Sequence, residues 1–195
     1  MYNVNEIFSS IQGEGPLVGV PVIFVRFAGC NLRCSWCDTD HSKINYTFKD
    51  AKELIDEIKR IDICGWRRVV LTGGEPLLQV DAPLIRAFSD FDIVQIETNG
   101  TIPFYDCGPP FMVVVSPKLG QKWTTEIKPT AVKVVDEGQD LHQYQNFYGP
   151  KPSYYLQPLD DKKDFQASMH KTALRVMHNP GWCLSIQVQK CVGVR

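Results

Sequence analysis

The segment Val22–Thr39 has the sequence VIFVRFAGCNLRCSWCDT and decides the fold class. Its first part, Val22–Phe27, is a β-rich and mostly apolar run, which predicts a buried strand. Cys30, Cys34 and Cys37 follow directly and define what we call the cysteine loop. Because α/β folds place their ligand-binding loops after the carboxyl ends of strands, we expect this loop to lie at a functional site.

Similar apolar runs recur along the chain and alternate with helical patterns. Further strands are predicted at Arg68–Leu71, Ile93–Glu97, Met112–Val115, Val132–Val135, Tyr154–Gln157 and Leu184–Val188. Helices are predicted at Phe48–Ile61 with a capping-box-like start at Thr47 and Asp50, at Ala82–Phe88 capped by Asp81, at Asp164–His178 and, as a shorter element, within Asp136–Tyr148.

This alternation indicates an α/β fold with right-handed crossovers. A full eight-unit barrel typically needs about 250 residues, and the chain has 195. We therefore expect a shortened, open TIM-like barrel that forms one domain over residues 1–195.

The charge balance narrows the range of partners. The 21 basic and 22 acidic residues give a net charge of -1, which argues against a broad nucleic-acid or anionic-membrane surface. No run approaches the ~18 apolar residues of a membrane helix. The start of the chain, MYNVNEIFSSIQGEG, lacks the basic and apolar parts of a signal peptide. We therefore expect a cytoplasmic protein that binds neither nucleic acid nor membrane.

The three cysteines of the loop have the spacing C-x3-C-x2-C, in a chain with seven cysteines. In a cytosolic chain such a cluster is more typical of metal binding than of disulfides. Three thiolates can hold three corners of a [4Fe–4S] cluster, which usually has four cysteine ligands, and would leave one iron open to a substrate or cofactor. His41 offers the alternative of a Cys3His zinc site. The spacing alone leaves both interpretations open.

Polar or glycine-rich motifs follow the later predicted strands as well. They are LTGGEP (71–76), IETNG (96–100), VSPK (115–118) and LQPLD (156–160). The glycine pair of the first motif allows backbone to approach a ligand closely. Glu97 and Asn99 are two positions apart at the end of one predicted strand, so their side chains lie on the same face. Together these strand ends predict one polar rim of the barrel.

The C-x3-C-x2-C loop resembles that of the radical S-adenosylmethionine (SAM) superfamily. The resemblance implies that Cys30, Cys34 and Cys37 hold a [4Fe–4S] cluster whose open iron binds the amino and carboxylate groups of SAM. The order of QGEG (12–15), CDT (37–39) and the later motifs is similar to that of one family, the 7-carboxy-7-deazaguanine synthases of the queuosine pathway. This implies a radical-mediated ring contraction of 6-carboxy-5,6,7,8-tetrahydropterin with loss of ammonia, assisted by Mg²⁺.

The resemblance also implies roles for individual residues. Around SAM it places Trp36, Cys37, Asp38, Gly74, Glu75, Glu97, Asn99, Ser116, Pro117, Lys118, Gln157, Pro158, Leu159 and Asp160. Around the pterin it places Ile11, Gln12, Gly13, Glu14, Arg26, Thr72 and the terminal carboxylate of Arg195.

Some of these roles are specific. Arg26 would pair with the substrate carboxylate, and Thr39 would offer its hydroxyl to Mg²⁺. Glu75 would accept from the ammonium group of SAM or buttress its own loop. Glu97 and Asn99 would meet the nucleoside ribose.

The C-terminal segment SIQVQKCVGVR (185–195), which we call the tail, departs from the family pattern at two positions. Gln189 stands where the family has histidine, and Cys191 replaces a residue that is usually aromatic. Because glutamine can hydrogen-bond but cannot carry a proton, these changes affect the expected substrate contacts of the tail and not the cluster.

The resemblance further implies a homodimer and a reductant such as flavodoxin or ferredoxin. Two other functions compete with the synthase. One is a glycyl-radical-enzyme activase, which shares the cysteine spacing. The other is a non-enzymatic Cys3His zinc module for protein interactions.

Overall fold

The computed structural model describes residues 1–105, 108–160 and 164–195. The strands are β1 (Tyr2–Ile11), β2 (Pro21–Phe27), β3 (Tyr46–Phe48), β4 (Arg68–Gly73), β5 (Ile93–Thr98), β6 (Phe111–Val115), β7 (Ala131–Asp136), β8 (Ser153–Pro158) and β9 (Trp182–Leu184). The helices are α1 (Ala51–Ile61), α2 (Ala82–Ala87), α3 (His142–Tyr148), α4 (Phe165–Met177) and α5 (Val188–Val192), with short 3-10 helices at Gly15–Leu17 and Pro76–Leu78.

All of these strands belong to one sheet, in the order β3-β1-β2-β4-β5-β6-β7-β8-β9. Strands β2 and β4 to β9 pair in parallel, while β1 runs antiparallel to both β2 and β3. Strands β3 and β9 are the two edges, so the sheet does not close on itself within the described ranges. This confirms the predicted α/β fold with a shortened, open barrel.

Helices accompany only some of the parallel connections. Helix α1 precedes β4, α2 precedes β5, and α3 and α4 precede β8 and β9. In the part of the chain that the structure describes, the connections from β5 to β6 and from β6 to β7 contain no helix. None of the described helices is long and apolar enough to cross a membrane.

Two apolar clusters hold the sheet and its helices together. The larger one joins the first six strands to α1 and α2 and includes Leu54, Leu71 and Phe88, each fully buried. The smaller one supports β7 to β9 and includes Tyr144 and Trp182. Full burial of one large apolar side chain stabilises a fold by about 1.5–3 kcal/mol. This packing fixes the strand ends, and therefore the loops that follow them.

Capping side chains explain where the helices begin. Asp81 accepts from the backbone N–H of Leu84 at 3.0 Å, so α2 begins where it was predicted. Asp50 accepts from the N–H of Glu53 at 2.9 Å, so α1 begins at Ala51. The predicted start of this helix near Phe48 is therefore wrong, because Asp50 is the capping residue and Phe48 belongs to β3.

Two further elements differ from the prediction. The predicted strand Leu184–Val188 is wrong, because β9 ends at Leu184 and α5 begins at Val188. Ser185 turns the chain there: its N–H donates to the carbonyl of Leu156 at 2.9 Å, and its hydroxyl accepts from the N–H of Gly15 at 3.0 Å. Strand β1 is an additional element that the sequence patterns did not indicate.

Candidate active site

A cavity of about 380 Å³ opens at the carboxyl ends of the parallel strands. Most of the predicted site residues line it: Gln12, Glu14, Arg26, Cys30, Cys34, Trp36, Cys37, Asp38, Thr39, Thr72, Gly74, Glu97, Asn99, Ser116, Lys118, Gln157 and Arg195. These residues lie in or after different strands, so the fold brings together motifs that are distant in sequence.

The other predicted site residues are not part of the cavity lining: Ile11, Gly13, Glu75, Pro117, Pro158, Leu159 and Asp160. Gly13 packs against the tail, since a Cβ there would lie 1.5 Å from Oε1 of Gln189. Asp160 accepts from Nζ of Lys190 at 2.7 Å. The contacts predicted between these residues and SAM or substrate stay predictions.

The cysteine loop contains no helix or strand and takes its position from neighbouring loops. The side chain of Asn31 accepts from Asn99 at 2.9 Å and donates to Thr101 at 2.8 Å. A Cβ on Gly74 would lie 1.8 Å from the carbonyl oxygen of Gly29. Position 74 therefore needs glycine because two loops meet there.

Glu75 acts as a buttress between two strand ends. Its side chain is fully buried, and it accepts from the hydroxyl of Thr98 at 2.8 Å and from the N–H groups of Leu77 at 3.0 Å and Asn99 at 2.7 Å. Burial raises the pKa of Glu75, although these hydrogen bonds act in the opposite direction. Of the two roles considered for Glu75, these contacts support the structural one.

Two of the three thiols of the loop, those of Cys30 and Cys34, are partly buried near one cation, whereas Cys37 is exposed. Burial raises the pKa of Cys30 and of Cys34, while the charge of Lys118 acts to lower both. Nζ of Lys118 lies 5.1 Å from the ring centroid of Trp36. The N–H of Leu32 donates to Sγ of Cys30 at 3.4 Å. So few contacts leave the sulfur atoms available to a metal cluster.

The described residues form no ready-made site for a single metal ion. The thiolates of a zinc site lie about 2.3 Å from one point, whereas each cysteine of a cubane binds a different iron. Among the residues that the structure describes, no three His, Cys, Asp or Glu side chains are grouped to hold one ion. His41 lines the cavity without completing such a group, so the Cys3His alternative is not supported.

Two polar groups of the cavity wall fit the polar parts of SAM. Gln157 is 9% exposed and its Oε1 has no hydrogen-bond partner among the described residues. Because buried polar atoms are nearly always paired, this oxygen fits an N–H or O–H donor of a ligand. Lys118 donates to the hydroxyl of Ser116 at 2.8 Å, and burial lowers its pKa. A carboxylate would compensate this partly buried cation.

Gln12, Glu14, Glu97, Lys133 and Gln187 form a second region of the wall, which we call the charged floor. The ammonium group of Lys133 is paired with Glu14 and lies 3.8 Å from Oε1 of Glu97. Burial acts to lower the pKa of Lys133, but the two carboxylates outweigh it and raise this pKa. Burial acts to raise the pKa of Glu14, but Lys133 and Gln187 outweigh it and lower this pKa. The pair is therefore held in its charged form.

The tail connects the last strands to the cysteine loop and to β1. Nζ of Lys190 donates to Asp38 at 2.9 Å, and Nε2 of Gln187 donates to the same carboxylate at 3.1 Å. Burial acts to raise the pKa of Asp38, but these hydrogen bonds outweigh it and lower the pKa. The N–H of Val188 donates to the carbonyl of Gly13 at 3.1 Å. The tail thus bridges the gap that the open sheet leaves.

Arg26 lies in the cavity wall and is held there by two contacts. Its Nε donates to Glu6 at 2.7 Å, and its Nη1 donates to the hydroxyl of Thr39 at 3.3 Å. Glu6 also pairs with Arg195, whose guanidinium carbon lies 4.6 Å from the ring centroid of Phe8. Glu6 thus lies between two guanidinium groups, and the N–H groups of Arg26 that it does not occupy suit an anionic ligand group.

The sequence patterns missed four polar residues of this region: Glu6, Lys133, Gln187 and Lys190. A signal existed for Lys133, because it is the one charged residue within the apolar run 131–135, and a buried charge requires a partner. Gln187 and Lys190 lacked such a signal, since their partners lie far away in sequence.

Comparisons with known proteins define the class first. Residues 24–106 match the family model of the Radical SAM superfamily. The matched segment contains the cysteine loop, the GGEP turn and the end of β5, which meet at the cavity. The protein is therefore a radical SAM protein, a class that uses a [4Fe–4S] cluster, SAM and a reductant.

The relatives define the family within this class. The chain is 41% identical over 199 residues to the 7-carboxy-7-deazaguanine synthase of Bacteroides thetaiotaomicron, with 100% of both chains covered. It is 37% identical over 218 residues to that of Bradyrhizobium diazoefficiens, covering 100% of this chain and 99% of the relative. The crystal structure of QueE from Escherichia coli matches with a TM-score of 0.76 and 28% identity, over 95% of this chain and 93% of that one. The chain belongs to the 7-carboxy-7-deazaguanine synthase family, as the motif order predicted.

Proposed function

We propose that this enzyme converts 6-carboxy-5,6,7,8-tetrahydropterin into 7-carboxy-7-deazaguanine and ammonia, as a step of the queuosine pathway. The observation that carries the proposal is that the cysteine loop, the charged floor and Arg26 all open onto one cavity. The conversion contracts a ring, releases one nitrogen and leaves no net oxidation. It therefore requires a radical initiator on one side of the cavity and precise substrate positioning on the other.

The cysteine-loop side would bind the cofactors. Cys30, Cys34 and Cys37 would hold the cluster. With SAM it would supply a 5′-deoxyadenosyl radical that removes a hydrogen atom from the ring carbon bearing the carboxylate. Lys118 would face the carboxylate of SAM, and the unpaired Oε1 of Gln157 would accept from one of its donor groups.

The opposite side would bind the pterin. Arg26 keeps N–H groups beyond those given to Glu6 and Thr39, and its planar guanidinium suits a substrate carboxylate. Gln12, which belongs to the charged floor, and Thr72 also line the cavity, where they can contact the heterocycle.

Mg²⁺ would bind beside the cysteine loop at Thr39. The hydroxyl of Thr39 lies 3.4 Å from Oδ1 of Asp38. Mg²⁺ prefers oxygen ligands and keeps several waters, so a hydroxyl in a solvent-accessible cavity suits it. The contact from Arg26 to the same hydroxyl, at 3.3 Å, would have to give way when the ion binds.

The proposal includes the remaining expectations for the protein. A flavodoxin or ferredoxin would reduce the cluster, the chain would act as a cytoplasmic homodimer of single-domain subunits, and no nucleic acid would bind. The net charge of -1 supports the last point, because a nucleic-acid-binding surface needs an excess of basic residues.

The test is an anaerobic assay of the reconstituted protein with the pterin, SAM, Mg²⁺ and a reductant. We expect 7-carboxy-7-deazaguanine by mass spectrometry, one ammonia per product and no consumption of SAM. Cleavage of SAM without any deazaguanine would instead point to another radical SAM function, such as the activase. Stoichiometric zinc without sulfide in the native protein would exclude radical chemistry.

A further inference from the structure

The tail borders the cavity, but its helix has little apolar packing to hold it there. Helix α5 has five residues, and none of them is fully buried. Isolated helices shorter than about 12 residues are not stable in water, so the position of α5 depends on polar contacts with the rest of the protein. Gln187, Gln189 and Lys190 all line the cavity, so a ligand that fills it would touch the tail directly.

Gln187 links carboxylates from two parts of the site. Its Nε2 donates to Oε1 of Glu14 at 2.7 Å and to Oδ2 of Asp38 at 3.1 Å. Its Oε1 accepts from Nζ of Lys190 at 2.7 Å. The amide nitrogen thus faces two carboxylates and the amide oxygen faces an ammonium group. Because a reversed amide would place its oxygen against the carboxylates, this side chain has one favourable orientation.

Lys190 joins the same network from the other end. Its Nζ donates to Asp38 at 2.9 Å, to Asp160 at 2.7 Å and to Gln187, so that all three of its donors are used. Burial acts to lower the pKa of Lys190, but the hydrogen bonds and charges of the two carboxylates outweigh it and raise this pKa. Lys190 therefore stays charged and ties the tail to the end of the cysteine loop and to the loop after β8.

This network connects the two sets of residues predicted for the two ligands. Glu14 belongs to the set predicted around the pterin, whereas Asp38 and Asp160 belong to the set predicted around SAM. Gln187 and Lys190 belong to neither set, yet they join one set to the other through hydrogen bonds. A ligand that orders one end of the network therefore lowers the cost of ordering the other end.

We infer that Gln187 and Lys190 are positioning residues that couple the binding of the pterin to the binding of SAM. The inference rests on the proposed function, because it requires both ligands in one cavity. The coupling is positive, since each ligand orders a tail that the other also needs. By thermodynamic linkage each ligand then raises the affinity of the other by the same factor. SAM is thus held most tightly when the substrate is already in place.

The test measures this factor directly. Cluster-loaded protein is used under anaerobic conditions without reductant, so that neither ligand reacts. The dissociation constant of SAM is determined with and without saturating pterin, and that of the pterin with and without saturating SAM. For the wild type we expect a factor of roughly 5- to 150-fold, the usual range for coupled sites, and the same value in both directions.

Substitutions in the network should reduce this factor. Lys190→Met and Gln187→Met should each bring it close to one, whereas Lys190→Arg should keep most of it because the charge and the donors remain. The double variant should lose no more than either single variant, because both residues act in one network. The matched control is Val192→Met, an exposed position of the same helix, which should keep the factor of the wild type.

A measurement on the wild type avoids substitutions altogether. Hydrogen exchange of the backbone amides in residues 185–195 should become slower with SAM alone and with the pterin alone, because either ligand orders the tail. If neither ligand slows this exchange, the inference is wrong.

Three binding results would also overturn the inference while leaving the proposed function intact. They are a wild-type factor of one, an equal loss of the factor in Val192→Met and Lys190→Met, and weaker binding of each ligand in Lys190→Met with an unchanged factor. The last result would show a merely structural role. A wild type that binds SAM but neither binds nor converts the pterin would overturn the proposed function, and this inference with it.

Discussion

The two sides of the cavity differ in how far contacts within the protein alone fix the positions of their side chains. On the charged floor, Lys133, Glu14 and Glu97 are joined across three elements by ion pairs and hydrogen bonds. On the other side, the sulfur atoms of the cysteine loop have few protein contacts, and the loop contains no regular secondary structure. The floor is preorganised, whereas the cysteine side would reach its final form only with the proposed cluster bound.

This difference has a functional meaning. A preorganised polar site binds a substrate without the cost of ordering its own side chains. A metal cluster contributes its own binding energy to the loop that holds it. Substitutions on the two sides should therefore have different effects. Those on the cysteine side should lower the cofactor content, and those on the floor should lower stability and substrate affinity.

The largest expected effect is that of Cys34→Ala on the cysteine side. Removing one of three thiolates should abolish cluster assembly and activity, since about four irons and four sulfides per chain depend on them. Thermal unfolding of the apoprotein should not change, because few protein contacts are lost. Iron and sulfide analysis measures the first effect, with Cys183→Ala, an exposed cysteine outside the cavity, as the control. Full iron content in Cys34→Ala would contradict the assignment of the cluster.

Lys133→Met is the corresponding change on the floor. It leaves Glu14 and Glu97 partly buried without their cation, and the free energy of unfolding at neutral pH should fall by about 3–5 kcal/mol. Denaturant unfolding measures this. Lys52→Met is the control, because Lys52 pairs with Asp56 on the exposed face of α1 and should not contribute measurably.

The same variant has a predictable pH dependence. Folding lowers the pKa of Glu14, so its stabilising contribution is present above the unfolded value of about 4.3 and is lost as pH falls through the folded pKa. Without Lys133, burial would raise that pKa, and the variant should gain stability as pH falls from 7 toward about 5. A stability difference between the two proteins that does not change with pH would show that the floor is not electrostatically coupled.

The smallest expected effect is that of Thr39→Ala, between the two sides. Stimulation of activity by Mg²⁺ should shrink several-fold while the iron content stays normal, because one oxygen ligand is lost and the waters remain. Activity as a function of Mg²⁺ concentration measures this. An unchanged Mg²⁺ response would remove Thr39 from the metal site, and a loss of iron would place it with the cysteine side instead.

The parallel strands were predictable because each is a short apolar run followed by a polar motif. The run Val22–Phe27 corresponds to β2 almost residue for residue. Strand β1 was not predictable in the same way, since it is an antiparallel strand near the edge with many polar residues. The stretch after Leu184 alternates like a strand, but Ser185 and Gln187 bond to Gly15 and Glu14, which are about 170 residues away in sequence.

In the site, too, some residues could be predicted from the sequence and others could not. Residues within motifs, such as the three cysteines, could be located from their spacing. The partners of single polar residues could not be located in this way. A buried lysine indicates that a carboxylate lies nearby, but it does not show which one. The folded sheet brings Lys133 next to Glu14 and Glu97, and no local sequence pattern predicts this pairing.

The outermost strands β3 and β9 have three residues each, Tyr46–Phe48 and Trp182–Leu184. Such short edge strands offer few free backbone N–H and C=O groups, which protects against unwanted strand addition and aggregation. A second subunit therefore has little to gain from extending the sheet. The proposed homodimer would have to form through side-chain surfaces of the helices or loops, and its assembly should leave the β-structure content of each subunit unchanged.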